Sequence, residues 1–208
     1  MSNDQAHALE SHVHRDPDGA KTGMWLFLFT ELLLFGGLFL IYAVYRSLNA
    51  GAFHHAAADL DVTIGVINTV VLLTSSLTMV LAVGALQRGQ TGWARLALGA
   101  TMMLGLLFLI FKGFEWAAKF SHGIFPGQEH LHALPHGEGL FFNLYFMMTG
   151  LHGVHVVVGM VVMYGVWRRL GSGTVTRENQ GVLEYTGLYW HLVDLIWIFL
   201  LPLFYLTN

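Results

Sequence analysis

The sequence predicts an all-α fold: an integral membrane bundle of five transmembrane helices, N-terminus cytoplasmic and C-terminus outside. Three observations carry this. Of 208 residues, 55% are hydrophobic and only 11% charged, under half the charged share of a soluble domain, which is about a quarter. Five apolar stretches are each long enough for the roughly 20 helical residues that span hydrocarbon. Runs such as LALGATMMLGLLFLIF lack the period-two alternation of a membrane barrel strand. The composition also excludes a disordered chain. With no cysteine there are no disulfides, iron–sulfur clusters, thiolate zinc, dinuclear copper–thiolate centres or covalently attached c-type haem. A net charge of −3 gives no footprint for nucleic acid.

Residues 1–21 are polar, hold three histidines, and lack the layout of a cleavable secretory signal. They read as a solvated cytoplasmic tail, followed by a membrane domain over 22–208. Its spans are expected at 24–45, 62–86, 93–118, 140–167 and 184–206, joined by connectors at 46–61, 87–92, 119–139 and 168–183. Each connector carries glycine or charge, as helix-ending segments do. Cations set the orientation. Arg15, Lys21, Arg88, Arg95, Arg168, Arg169 and Arg177 fall on the N-terminal side, against Arg46 and Lys119 on the other. No internal repeat or matched pair of interrupted helices supports a secondary transporter.

Ionisable residues at membrane depth mark function or deliberate pairing. Glu31, in FTELLLF, lies seven residues into the first span, about 10 Å below its cytoplasmic end. It is either a packed, hydrogen-bonded acid or a proton-related group. Lys112 and Glu115 are three apart, share a helical face, and read as a structural ion pair near the outer interface that also meets lipid headgroups. In TGLHGVHVVVG, His152 and His155 share a face with glycines that admit a close helix neighbour. A bis-histidine haem would need partners at matched depth, and His191 lies at a different one; Glu-x-x-His, the di-iron signature, does not occur within the five spans. In the last span Trp190, Asp194 and Trp197 form one stripe beside His191, so both indoles can donate hydrogen bonds to the aspartate, which reads as a buried, satisfied group fixing helix packing. Asn68, Thr69, Ser75, Ser76 and Thr78 form a second polar stripe, of the kind that bonds across helix interfaces. The third connector holds His122, His130, His132 and His136; such surface clusters bind added metal without being native sites. No metal site and no catalytic residue is assigned to this chain.

These motifs together resemble subunit III of haem–copper terminal oxidases, in the short five-helix form. GMWLFLFTELLLFGGLFLIYAVY is similar to the family's glutamate-bearing helix, which puts Glu31 on its carbodiimide-reactive glutamate. INTVVLLTSSLT, with Asn68, resembles the next helix, and GLLFLIFKGFEW its aromatic–Glu–aromatic stretch around Glu115. FFNLYFMMTGLHGVHVVVG resembles the His-Gly-x-His helix, and YWHLVDLIWIFLLPLFY the closing Trp-His-x-x-Asp-x-x-Trp helix. The long histidine-rich connector and Lys112, where the family more often has an uncharged polar residue, depart from the pattern.

The resemblance implies a cofactor-free accessory subunit in a multi-pass position in the bacterial cytoplasmic membrane. It implies contact with subunit I, which holds the haems and copper, with subunit II, and with tightly bound phospholipid. It also implies support of proton uptake, in a complex reducing oxygen with electrons from cytochrome c. A quinol-oxidase subunit III or a nitric-oxide-reductase-associated homologue is the near alternative. A stand-alone b-type cytochrome and a proton-coupled transporter are the alternatives of other classes; the first predicts a haem spectrum for the purified chain, the second flux in liposomes holding it alone.

Overall fold

The computed structural model describes residues 17–121, 123–126 and 135–206. The remainder of the expected tail, residues 1–16, and His122, His130 and His132 of the third connector lie outside the described residues. Among those described are six α-helices and no strand: α1 (Pro17–Leu48), α2 (Ala50–Ala57), α3 (Val62–Gln87), α4 (Thr91–Ser121), α5 (His136–Gly171) and α6 (Gly181–Tyr205), with a single 3-10 turn at Arg177–Asn179. All but α2 are long and apolar enough to cross a membrane.

Each span expected from the sequence is a helix, and most run further than the apolar stretch that announced them. α1 begins at Pro17 with Asp18 in its first turn. Proline is pre-set for the first helical position, and an acid there meets the positive end of the helix dipole, so residues 17–21 are helical rather than tail. α5 begins straight after Pro135 and takes in the polar HGEG of the expected connector. The short α2 was not foreseen. Its alanine-rich AGAFHHAA carries good helix propensity, but no span-length signal marks it inside a segment otherwise read as a loop.

Local chemistry fixes the helix ends. Asp61 caps α3, its Oδ1 accepting from the amides of Thr63 (2.8 Å) and Ile64 (3.2 Å). At the other end Gly89 adopts φ +74°, which lets its N–H reach the Leu86 carbonyl (2.8 Å) and that of Gln90 reach Ala85 (2.9 Å). This is the left-handed closure for which glycine is suited.

α3, α4, α5 and α6 form a closed ring of neighbours: α3 packs on α4 and α6, and α5 packs on the same two. α1 leans against α6 and α5 from outside, and α2 straps α1 to α5. Lipid tails are as apolar as leucine, so dispersion and interhelical hydrogen bonds must hold such helices together. The ring is closed around Trp190, which is fully buried. A Cβ at Gly105 of α4 or at Gly159 of α5 would lie 2.9 Å from its indole, so both positions need glycine for the ring to fit. One layer on, Trp197 meets Phe108 edge-to-face at 4.8 Å. Pro202 sits inside α6 and has no N–H to offer the carbonyl four residues back. Just beyond it, the Tyr42 hydroxyl of α1 donates to the Leu203 carbonyl.

Candidate functional site

Polar groups inside the bundle fall into three sets, each at a helix–helix contact. The first joins α1 to α5. Glu31 Oε2 lies 2.9 Å from His155 Nε2, with both side chains 15% exposed. The other ring nitrogen, Nδ1, sits 2.7 Å from the Leu151 carbonyl, which can only accept, so Nδ1 carries a hydrogen. The short Glu31–His155 contact then holds one proton between the two groups, on the carboxyl or on the imidazole. Phe35 packs its edge on the imidazole at 5.3 Å, and the Tyr189 hydroxyl donates to the His155 carbonyl at 3.1 Å. Glu31 is fourteen residues into α1, about 21 Å along the axis and close to its midpoint. It lies deeper in the helix than the apolar boundary suggested, because α1 starts earlier.

The second set joins α4, α5 and α6. Lys112 Nζ donates to Glu115 Oε2 (3.2 Å), Tyr145 Oη (2.9 Å) and Tyr205 Oη (2.6 Å). Both phenols donate in turn to Glu115 Oε1, each at 2.5 Å. Every donor of the ammonium is used and both carboxylate oxygens accept, so the cluster is closed and charge-balanced. Lys112 and Glu115 pair at 3.2 Å, as their i,i+3 spacing suggests. The side chains are 7% and 4% exposed, because two tyrosines from other helices enclose them.

The third set is the polar stripe of α3. Trp190 Nε1 donates to Ser75 Oγ and Trp197 Nε1 to Thr69 Oγ1, both at 3.0 Å. Thr78 pairs with Thr101 of α4 at 2.8 Å, and Ser76 Oγ lies 2.6 Å from His191 Nδ1. This corrects the expectation that both indoles serve Asp194. The tryptophans point across to α3, whose hydroxyls lie at their own level, and a neighbour on the same helix face is not in line with an indole N–H. Asp194 is buried beside Ser76, yet neither of its oxygens receives a well-formed hydrogen bond in this chain. Asn68 is fully buried with both amide atoms likewise unpartnered.

His152 and His155 part company. His155 turns to α1, while His152 is fully buried between Phe108 (5.5 Å) and Trp197 (5.3 Å) with neither nitrogen hydrogen-bonded. Among the described residues no three His, Cys, Asp or Glu side chains converge as a metal site. His136, the one described histidine of the third connector, begins α5.

Sequence reasoning missed the phenols Tyr145, Tyr189 and Tyr205. Each sits in an apolar run where tyrosine reads as one more aromatic; a hydroxyl at membrane depth needs a partner, and that was the available signal. An apolar groove of about 330 Å³ opens between α1, α5 and α6, lined by Phe27, Val158 and Tyr189 among others. At the N-terminal end of α6 it adjoins a larger polar pocket of about 770 Å³ holding Arg169 and Arg177; Val182 and Tyr185 line both.

The sequence profile of the family described as cytochrome c oxidase subunit III matches residues 3–208. The cytochrome c oxidase subunit 3 of Thermostichus vulcanus is 29% identical over 198 residues, 95% of this chain and 92% of that protein. The cytochrome bo(3) ubiquinol oxidase subunit 3 of Pseudomonas aeruginosa is 29% identical over 200 residues, 95% of this chain and 90% of its own length. A heme-copper oxidase subunit I+III of Aeropyrum pernix is 28% identical over 212 residues, 97% of this chain but 25% of that longer protein. With the match running through all five spans, the chain belongs to the cytochrome c oxidase subunit III family.

Proposed function

We propose that this chain is the accessory, non-catalytic subunit III of a proton-pumping haem–copper oxidase in the bacterial cytoplasmic membrane, with its N-terminus cytoplasmic. Its main contact is subunit I, which carries the haems and copper; subunit II is a further neighbour. The Aeropyrum pernix relative supports the main contact, since its name joins subunits I and III in one polypeptide. Cytochrome c is the proposed electron donor, and oxidation of ubiquinol alone by the purified complex would reverse that choice in favour of the quinol-oxidase reading that the Pseudomonas aeruginosa relative represents.

The observation that carries the proton role is the Glu31–His155 pair. A carboxyl and an imidazole share one proton near the middle of two membrane helices, one helical turn from Phe27 and Val158 of the apolar groove. Phospholipid occupies that groove with its headgroup in the pocket of Arg169 and Arg177. The lipid closes the pair off from bulk water, and the pair supports proton uptake by subunit I.

Glu31→Gln tests this cleanly. The glutamine amide still donates to His155 Nε2, so the helix contact survives while the transferable proton is gone. In the assembled oxidase at alkaline pH the expected result is a near-normal initial rate followed by progressive loss over many turnovers. An unchanged time course would remove the proton role. Immediate, complete loss of haem chemistry would contradict an accessory role.

A further inference from the structure

The geometry points to the groove between α3 and α6 as the face on which a transmembrane helix of subunit I docks, with one hydrogen-bonding side chain of that helix seated on His191. The inference rests on the subunit III reading and adds to it which face is used and through what contact.

Among the described residues, grooves open at several contacts between the spans. The α1/α5/α6 groove is apolar; in the α4/α5 groove Lys112 spends all three donors and Thr149 its hydroxyl within the chain, and the unpartnered Trp116 Nε1 is buried away from the opening. The α3/α6 groove differs. Of about 410 Å³, it is lined by Val80, Gly84, Gln87, Glu184, Leu188 and His191 among others. At its end Gln87 Nε2 donates to Glu184 Oε1 at 3.3 Å. His191 is ten residues into α6, about 15 Å along the helix, well inside hydrocarbon. Its Nδ1 is held by Ser76, which leaves Nε2 with no partner in this chain.

A ring nitrogen that lines an open groove at this depth cannot be served by water or by acyl tails, and leaving it bare costs as much as any lost hydrogen bond. A lipid headgroup sits a helix half-length away. A neighbouring helix can place a serine, threonine, asparagine or glutamine there. The rim suits such a partner, because Leu77, Val80 and Leu195 around it are exposed and apolar, giving a small polar centre in an oily surround. The fused relative supplies the candidate, since a subunit I is continuous with this same fold.

The chain has no cysteine, so single cysteines can be placed at will in the full oxidase. Val80→Cys and Leu188→Cys, carrying a short photo-crosslinker, should form adducts with subunit I, identified by mass spectrometry, while Phe114→Cys and Val154→Cys on the opposite face should not. Adducts with subunit I from the opposite face alone, or with lipid alone from both faces, would overturn the inference while leaving the subunit III reading standing. Failure of this chain to co-purify with any haem-bearing subunit would sink that reading itself. As a second measurement, His191→Leu should weaken retention of the chain under detergent washing by about three- to tenfold, the usual range for one hydrogen bond between membrane helices, and His191→Gln should restore most of it. Equal retention in all three would overturn the role given to Nε2.

Discussion

Lys112 has three protons to donate, and its surroundings take all three. A buried ion pair of this kind is poor evidence of net stability, because desolvating two charges offsets most of their attraction. Its removal one partner at a time is another matter. Lys112→Met strands the Glu115 carboxylate between two phenols with no cation, and the loss should be about 3–5 kcal/mol. The double variant Lys112→Met/Glu115→Gln leaves an amide oxygen to accept both hydroxyls and no charge to strand, so it should recover most of that. Thermal unfolding of the purified complex reads both. If the single and double variants fall equally, the cluster is not held by charge balance. The spacing of Lys112 and Glu115 made their pairing legible in the sequence, since three residues apart on a helix is a contact. Their enclosure was not, because the phenols that cause it come from 33 and 93 positions away. Asp194 shows the reverse: its same-helix neighbours were known, but helix-face arithmetic does not tell which way an indole N–H points, and Ser75 and Thr69 are the answer.

Between elements, the glycines of α4 and α5 do unequal work. Gly105 and Gly159 admit Trp190 from either side, each at a distance no Cβ tolerates against a rigid ring. Gly153, on the same helix as Gly159, faces open space. Gly159→Ala should therefore destabilise the bundle by about 1–3 kcal/mol through overpacking, while Gly153→Ala should be neutral or slightly stabilising through helix propensity. Comparable losses at both positions in a detergent unfolding assay would mean that the indole relocates easily. The sequence disclosed a glycine-bearing face on this helix, and with it the expectation of close packing. It did not disclose which glycine met what, because that depends on the register of α6 against α5. The five spans themselves were legible because apolar length is a local property. The short α2 was not, because its place is fixed by what it packs against: Phe53, Ala56 and Ala57 are buried.

The whole molecule is a four-helix ring with a fifth span that belongs to it only loosely. In the apolar window of α1 only 11% of residues are buried within the chain, against 50% in α6. Its fastenings include Glu31 to His155 at mid-helix and the Tyr42 hydroxyl to the Leu203 carbonyl near its far end. Local opening free energy follows buried contact and satisfied hydrogen bonds, so α1 should be the first element to part from the rest when whatever covers its outer face is stripped away. Hydrogen exchange on the complex before and after delipidation measures this. Backbone amides of α1 should lose protection ahead of those of α3 and α6, and Tyr42→Phe should advance that loss by removing one of its ties. The order of opening bears on the proposed proton role: once α1 lifts, Glu31 is separated from His155 and the shared proton site is lost, so delipidated oxidase should age during turnover as Glu31→Gln does. Uniform loss of protection across all five spans would show that α1 is an integral wall of the bundle, and would break the link between lipid and proton supply.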